Sequence, residues 1–141
     1  MKPFEAIQVL NQLLRTLCRS LPMYLADAKP WARSEDAKLQ AAMGHLVADQ
    51  QMYAKRLAEA IESHGGRPDP GRFPTEFTAK NDLSLEFLLN EVIDCQDQDL
   101  AVIEHCASQL TGVPDLHALA EEIFGNARGH LDVIQEMMSG E

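Results

Sequence analysis

The stretch Ala48-Asp49-Gln50-Gln51-Met52-Tyr53-Ala54 decides the fold. It lies in the middle of a run from about Glu35 to His64 in which Leu39, Met43, Leu46, Leu57, Ala60 and Ile61 recur at helical spacing and share one face. Gln50 and Tyr53 fall on that same face, where a simple bundle helix would carry Leu or Ile. Asp49 lies at its edge and His45 well outside it. Ser34, with Glu35 and Asp36 behind it, marks the helix start. Gly65-Gly66 marks its end, because glycine adopts the left-handed conformation that closes a helix.

Toward the N-terminus, Phe4 to Ala28 is expected to be one helix. Ile7, Leu10, Leu14, Leu17, Cys18, Leu21 and Leu25 share its apolar face, opposite Gln8, Asn11, Arg15 and Arg19. Pro22 removes a backbone hydrogen bond and is expected to bend it near its end. Lys29-Pro30-Trp31-Ala32-Arg33 breaks the chain before the next helix.

Toward the C-terminus, the prolines between Gly66 and Asp82 exclude a helix. In extended form, at about 3.3 Å per residue, such a segment matches the length of the preceding helix, about 45 Å. It is expected to cross over the bundle, pinned by Phe73 and Phe77, so that the third helix runs parallel to the second. That third helix spans about Leu83 to Leu110 and closes at Gly112. Leu85, Leu89, Val92, Leu100, Ile103, Ala107 and Leu110 form its stripe, with Gln96 at the centre. A fourth follows Val113-Pro114-Asp115 and runs to about Met138. Leu116, Leu119, Ile123, Ile134 and Met137 mark its buried face, with His130 central and Asn126 beside it. Residues 1–141 therefore read as one all-α domain, an antiparallel four-helix bundle with a long crossover between helices 2 and 3.

Helices of similar length packed side by side bring their midpoints to similar heights. Gln50, Tyr53, Gln96, Asn126 and His130 then form a polar layer across the core, facing Leu14 and Leu17. Buried unpaired, each group would cost about 1–3 kcal/mol, so they must find partners.

Composition narrows the function. Twenty-two acidic residues against 12 basic ones leave a net charge of −10, the wrong sign for nucleic acid or an anionic membrane surface. No apolar run reaches the length of a membrane span, and no signal-peptide core follows Lys2. Cys18, Cys95 and Cys106 are widely spaced with no C-x-x-C, which points to buried thiols in a reducing cytoplasm. His45, His64, His105 and His117 lack mutual ligand spacing and read as surface residues. Asp94, Asp97, Asp99 and Glu104 read as a solvated face. No cysteine has a histidine and an acid at recognisable spacing, so no catalytic residue is assigned.

Two stretches carry a family resemblance: Ala48 to Ile61, running into Gly65-Gly66, and Glu122-Ile123-Phe124-Gly125-Asn126-Ala127-Arg128-Gly129-His130-Leu131-Asp132. Both are similar to the segments in which the ferritin-like superfamily (bacterioferritins, rubrerythrins and related di-iron proteins) places its two Glu-x-x-His motifs. The resemblance covers essentially the whole chain and implies the ferritin-like bundle. Carried over residue by residue, it implies a degenerate di-iron site. Gln50 and Tyr53 stand for Glu and His on helix 2, and Ala127 and His130 on helix 4. Gln96 and Leu17 stand near the single carboxylates of helices 3 and 1. Di-iron centres need several carboxylates to offset and bridge their cations, and only the histidine of helix 4 survives.

The first reading is a ferritin-like structural or interaction protein without metal or other cofactor, forming a homodimer or meeting a protein partner. Trp31, Phe73 and Phe77 are the candidates for an exposed apolar patch. The alternative is an iron-binding oxidoreductase or iron-handling protein with altered ligands, drawn from Asp49, Gln50, Tyr53, Gln96 and His130. A third is a pocket in the vacated centre that takes a small organic ligand.

Overall fold

A computed structural model describes residues 2–80 and 84–139. The described residues form helices α1 (Pro3–Cys18), α2 (Leu21–Tyr24), α3 (Ala37–Ser63), α4 (Leu85–Gln109) and α5 (Pro114–Met138). Short 3₁₀ turns lie at Pro30–Arg33 and Thr75–Lys80. The long helices make an antiparallel bundle in which α1 and α5 each pack against both α3 and α4. This leaves α3 and α4 facing one another across the bundle diagonal.

The expected first helix is two. α1 ends at Cys18, and Ser20 turns extended to start α2, its hydroxyl accepting from the Met23 amide at 3.3 Å. Pro22 stands in the first turn of α2, where its missing N–H needs no partner, so it begins a helix rather than bending one. Leu21 and Leu25 still reach the core. α3 starts two residues after the expected point. Asp36, not Ser34, is the N-cap and accepts from the amides of Lys38 and Leu39. It ends as expected, with Gly65 in the left-handed region at φ 85°. The expected start of the third helix, Leu83, lies outside the described residues; Ser84 caps α4 by accepting from the Phe87 amide at 3.3 Å.

The crossover is tied along α1. Asn11 donates from Nδ2 to the Arg67 carbonyl at 3.1 Å, and its Oδ1 accepts from the Asp69 amide at 2.8 Å. Gly71, at φ 73°, lies so close to the stems of Arg15 and Arg19 that an added Cβ would come within 2.9 Å of Arg19. Phe77 is buried, and Tyr24 stands edge-on to Phe73 with ring centroids 5.2 Å apart. Of the aromatic residues expected to form an exposed patch, Trp31 and Phe77 are instead buried and only Phe73 is exposed.

The core is divided. One apolar cluster runs from Ala6 to Leu17 on α1 and takes in Leu57, Ile61, Ile103, Leu110, Leu116 and Ile123. The other gathers Leu21, Leu25 and Trp31 with Met43, Leu46, Leu89, Val92 and Ile134. Ser20, Gln50 and Gln96 are the buried polar residues among those described, and they lie between the two clusters in sequence on every helix that contributes them.

Candidate functional site

The expected polar layer exists as separate hydrogen-bonded groups. In the core, Ser20 Oγ donates to Gln50 Oε1 at 2.9 Å, and Gln50 Nε2 donates to Gln96 Oε1 at 3.3 Å. Gln96 Nε2 in turn donates to Asp99 Oδ2 at 3.4 Å. Every link runs the same way, from hydroxyl through two amides to a carboxylate, and the amide pair spans the diagonal between α3 and α4. Among the described residues no buried side-chain nitrogen or oxygen lacks a partner.

A second group joins α3 to α5. Asp49 Oδ2 accepts from Asn126 Nδ2 at 2.8 Å and lies 2.7 Å from His130 Nε2. These bonds hold the Asp49 carboxyl below the usual carboxylate range, the Asn126 bond most of all. Asp49 thus turns inward to a partner rather than facing solvent. His130 is half-buried at the rim instead of central, because the buried stripe of α5 passes through Ala120, Ile123, Leu131 and Ile134. Its partner is Asp49, not the amides.

A third group also bridges α3 and α5. Tyr53, buried like a core residue, donates its hydroxyl to Glu122 Oε2 at 2.8 Å. Arg56 Nη1 meets the same oxygen at 2.6 Å, and its guanidinium lies 5.4 Å from the centre of the Tyr53 ring. Burial, then the Glu122 carboxylate, push the Tyr53 phenol up to about 12. The bond from Arg56, then that from Tyr53, lower the Glu122 carboxyl.

Asp49, Gln50, Tyr53, Gln96 and His130 therefore do not converge. Asp49 and His130 pair with each other, Gln50 with Gln96, and Tyr53 with Glu122. Ala127 packs on the apolar cluster to which Leu17 belongs. Among the described residues no group of three or more His, Cys, Asp or Glu is placed to hold a metal ion. The middle of the layer is two neutral amides, Gln50 and Gln96, bonded to each other.

Sequence reasoning missed Ser20, Asp99 and Glu122. Arg19-Ser20-Leu21-Pro22 does carry a signal for the first, a cap residue two positions before proline. The sequence pattern places Asp99 among the solvated acids of its helix. It is half-buried, and burial pushes its carboxyl up to about 7 against the pull of Arg19. Nothing in the sequence separates Glu122 from the other exposed acids. His117 is likewise not a plain surface residue: it is half-buried, with Nδ1 2.9 Å from the Ala107 carbonyl across the α4–α5 turn. Cys106 is buried as expected, its thiol pushed up to about 11 by that burial, whereas Cys18 and Cys95 are half-buried.

Helix order, the long crossover and the diagonal arrangement together define the ferritin-like fold. Solved structures of that class superpose over nearly the whole chain. The bacterioferritin of Rhodobacter capsulatus, solved with a metal-free dinuclear site and a haem iron, aligns at TM-score 0.76 and 15% identity, covering 96% of this chain and 84% of that one. The bacterioferritin of Desulfovibrio desulfuricans, solved with its diiron site in different catalytic states, aligns at 0.72 and 19%, covering 97% and 80%. A ferritin-like diiron-carboxylate protein of Bacillus anthracis aligns at 0.74 and 19%, covering 98% and 99%. Identities this low bear on the fold. No protein-family model matches the sequence, and no curated protein matches it. No helix among the described residues is long and apolar enough to cross a membrane.

Proposed function

We propose that this chain is a single-domain ferritin-like bundle in which amides replace the di-iron centre, and that it serves as a structural or interaction protein, self-associating as a homodimer in the cytoplasm. The observation that supports this reading most is the 3.3 Å bond between Gln50 and Gln96. At positions where the family resemblance implies carboxylates, this bundle has neutral groups that satisfy one another. A neutral, internally bonded pair offers a metal neither charge nor spare lone pairs of useful basicity.

Elemental analysis after anaerobic Fe(II) loading and desalting tests the reading. Near-zero iron, manganese and zinc per chain is the expected result, and one or two tightly held metals per chain would overturn it. The second reading, an iron-handling protein with altered ligands, draws on one contact, Asp49 to His130 at 2.7 Å, which joins a carboxylate and an imidazole on adjacent helices. Under it, Asp49→Ala removes the bound metal. For self-association, light scattering at micromolar concentration distinguishes a dimer from a 15.7 kDa monomer.

A further inference from the structure

The two ends of the buried chain surface in the same place. Ser20, where it begins, and Asp99, where it ends, both line a cleft of about 450 Å³ between α1, α4 and the crossover. That volume falls within the range of small-molecule sites. The expected place for an organic ligand was the vacated centre; the space lies beside it, and the amides fill the centre itself.

The walls differ in chemistry. Arg15, on α1, and Arg19, at its C-cap, stand one turn apart, their stems held against Gly71 of the crossover. Arg15 is partly engaged by Asp69, at 3.5 Å. The Arg19 guanidinium makes no hydrogen bond or ion pair among the described residues, in a chain whose net charge is −10. A guanidinium so placed presents a planar fork of donors that matches a carboxylate. Phe77 and Val102 supply an apolar floor beside it. We propose that this cleft binds a small monocarboxylate with a short apolar body, its carboxylate on Arg19 and its hydrocarbon on Phe77 and Val102.

A single negative charge suits the site better than a phosphate does. Asp99 and Glu76 line the same cleft and would repel a dianion. With its carboxyl pushed up to about 7, Asp99 can carry a proton near neutrality and donate it in a hydrogen bond to the bound carboxylate. The other titratable or charged groups lining the cleft are Arg15 on α1, Arg19 at its C-cap, Glu76 on the crossover and Cys95 on α4. Asp99, with its carboxyl pushed up to about 7, changes charge between pH 6 and 8. Affinity should therefore fall as pH rises through that interval. The inference does not depend on whether the bundle holds a metal.

The test is titration of the full chain with sodium octanoate, followed by amide NMR at pH 6 and pH 8. Saturable shifts confined to the cleft, about tenfold tighter at the lower pH, are expected. Arg19→Gln should weaken binding by roughly tenfold or more at both pH values. Asp99→Asn should keep its affinity from pH 6 to pH 8. Both positions lie at the cleft surface, and an unchanged spectrum away from it certifies folding. Absence of saturable binding, equal binding by Arg19→Gln, or inorganic phosphate binding as tightly as octanoate would each overturn the proposal.

Discussion

Gln50 and Gln96 sit where either one alone is a liability. Replacing Gln96 with Leu strips Gln50 Nε2 of its acceptor in a position only 6% exposed, which should cost about 1–3 kcal/mol in urea unfolding. The double variant Gln50→Leu/Gln96→Leu removes both needs at once and should recover most of that loss, leaving Ser20 Oγ without its acceptor and Asp99 Oδ2 without its donor. A double-mutant cycle without positive coupling would place the amides apart. Tyr53 makes a spectroscopic prediction. Its folded phenol is raised to about 12 from an ordinary 10, so the folded state holds the proton more tightly. The stability it contributes is intact below pH 10 and lost as pH climbs toward 12, and ultraviolet titration should show a tyrosine ionising late, earlier in Glu122→Gln. Asp49 behaves oppositely. Its lowered carboxyl contributes stability above its ordinary value of 3.8, lost as pH falls through the folded value. Because the Asn126 bond is the largest cause, Asn126→Ala should raise the Asp49 carboxyl more than any other single change. The buried amides were legible in the sequence because helical periodicity exposes a misfit on an apolar stripe. Their bonding pattern was not, since periodicity fixes a face and says nothing of which way a glutamine side chain reaches.

Between elements, the ends carry more information than the middles. Asp36→Ala removes a carboxylate that accepts from two otherwise orphaned amides and should cost about 1 kcal/mol. Ser34→Ala loses only a bond from the Asp36 amide and should cost less. Comparing the two in thermal unfolding locates the start of α3. Where α3 leaves the bundle, Gly66→Ala would put a Cβ 2.7 Å from Ile7 Cγ2 and 3.0 Å from Ile61 Cγ2, a clash against the half-buried Ile7 and the buried Ile61 worth about 1–3 kcal/mol. The helix faces, the caps at Gly65 and the path of the crossover followed from pattern and turn chemistry. The split between α1 and α2 did not, because the leucine spacing continues through Ser20 as though the helix were unbroken. Leu21 and Leu25 meet the same core from either geometry, so apolar periodicity cannot distinguish them.

Over the whole molecule, acidic residues pull the pH profile in both directions. Asp99 is raised to about 7, so its contribution is fully present below its ordinary 3.8 and is lost as pH rises toward 7; Asp49 and Glu122 are lowered and act in the reverse sense at more acidic pH. Stability should therefore increase on acidification from pH 7 to pH 5, and Asp99→Asn should flatten that rise in urea titrations at each pH. The fold at this scale was readable from four amphipathic stretches and one proline-rich connection. The cleft was not, being assembled from the polar flank of α1, the crossover and a half-buried acid that a linear reading assigns to solvent.

The divided core has a consequence for alignment. Two bodies of leucine and isoleucine pack almost as well after one helix slides a turn, about 5.4 Å, along its neighbour, because greasy surfaces recognise shape and area with little sense of address. The Ser20–Gln50–Gln96 thread cannot tolerate that shift: moved by one turn of α3, Gln96 would face Leu46 or Ala54 and strand its amide in hydrocarbon. The thread works as a keyway, a single notch that indexes three helices to one another and leaves the oily halves on either side free to vary.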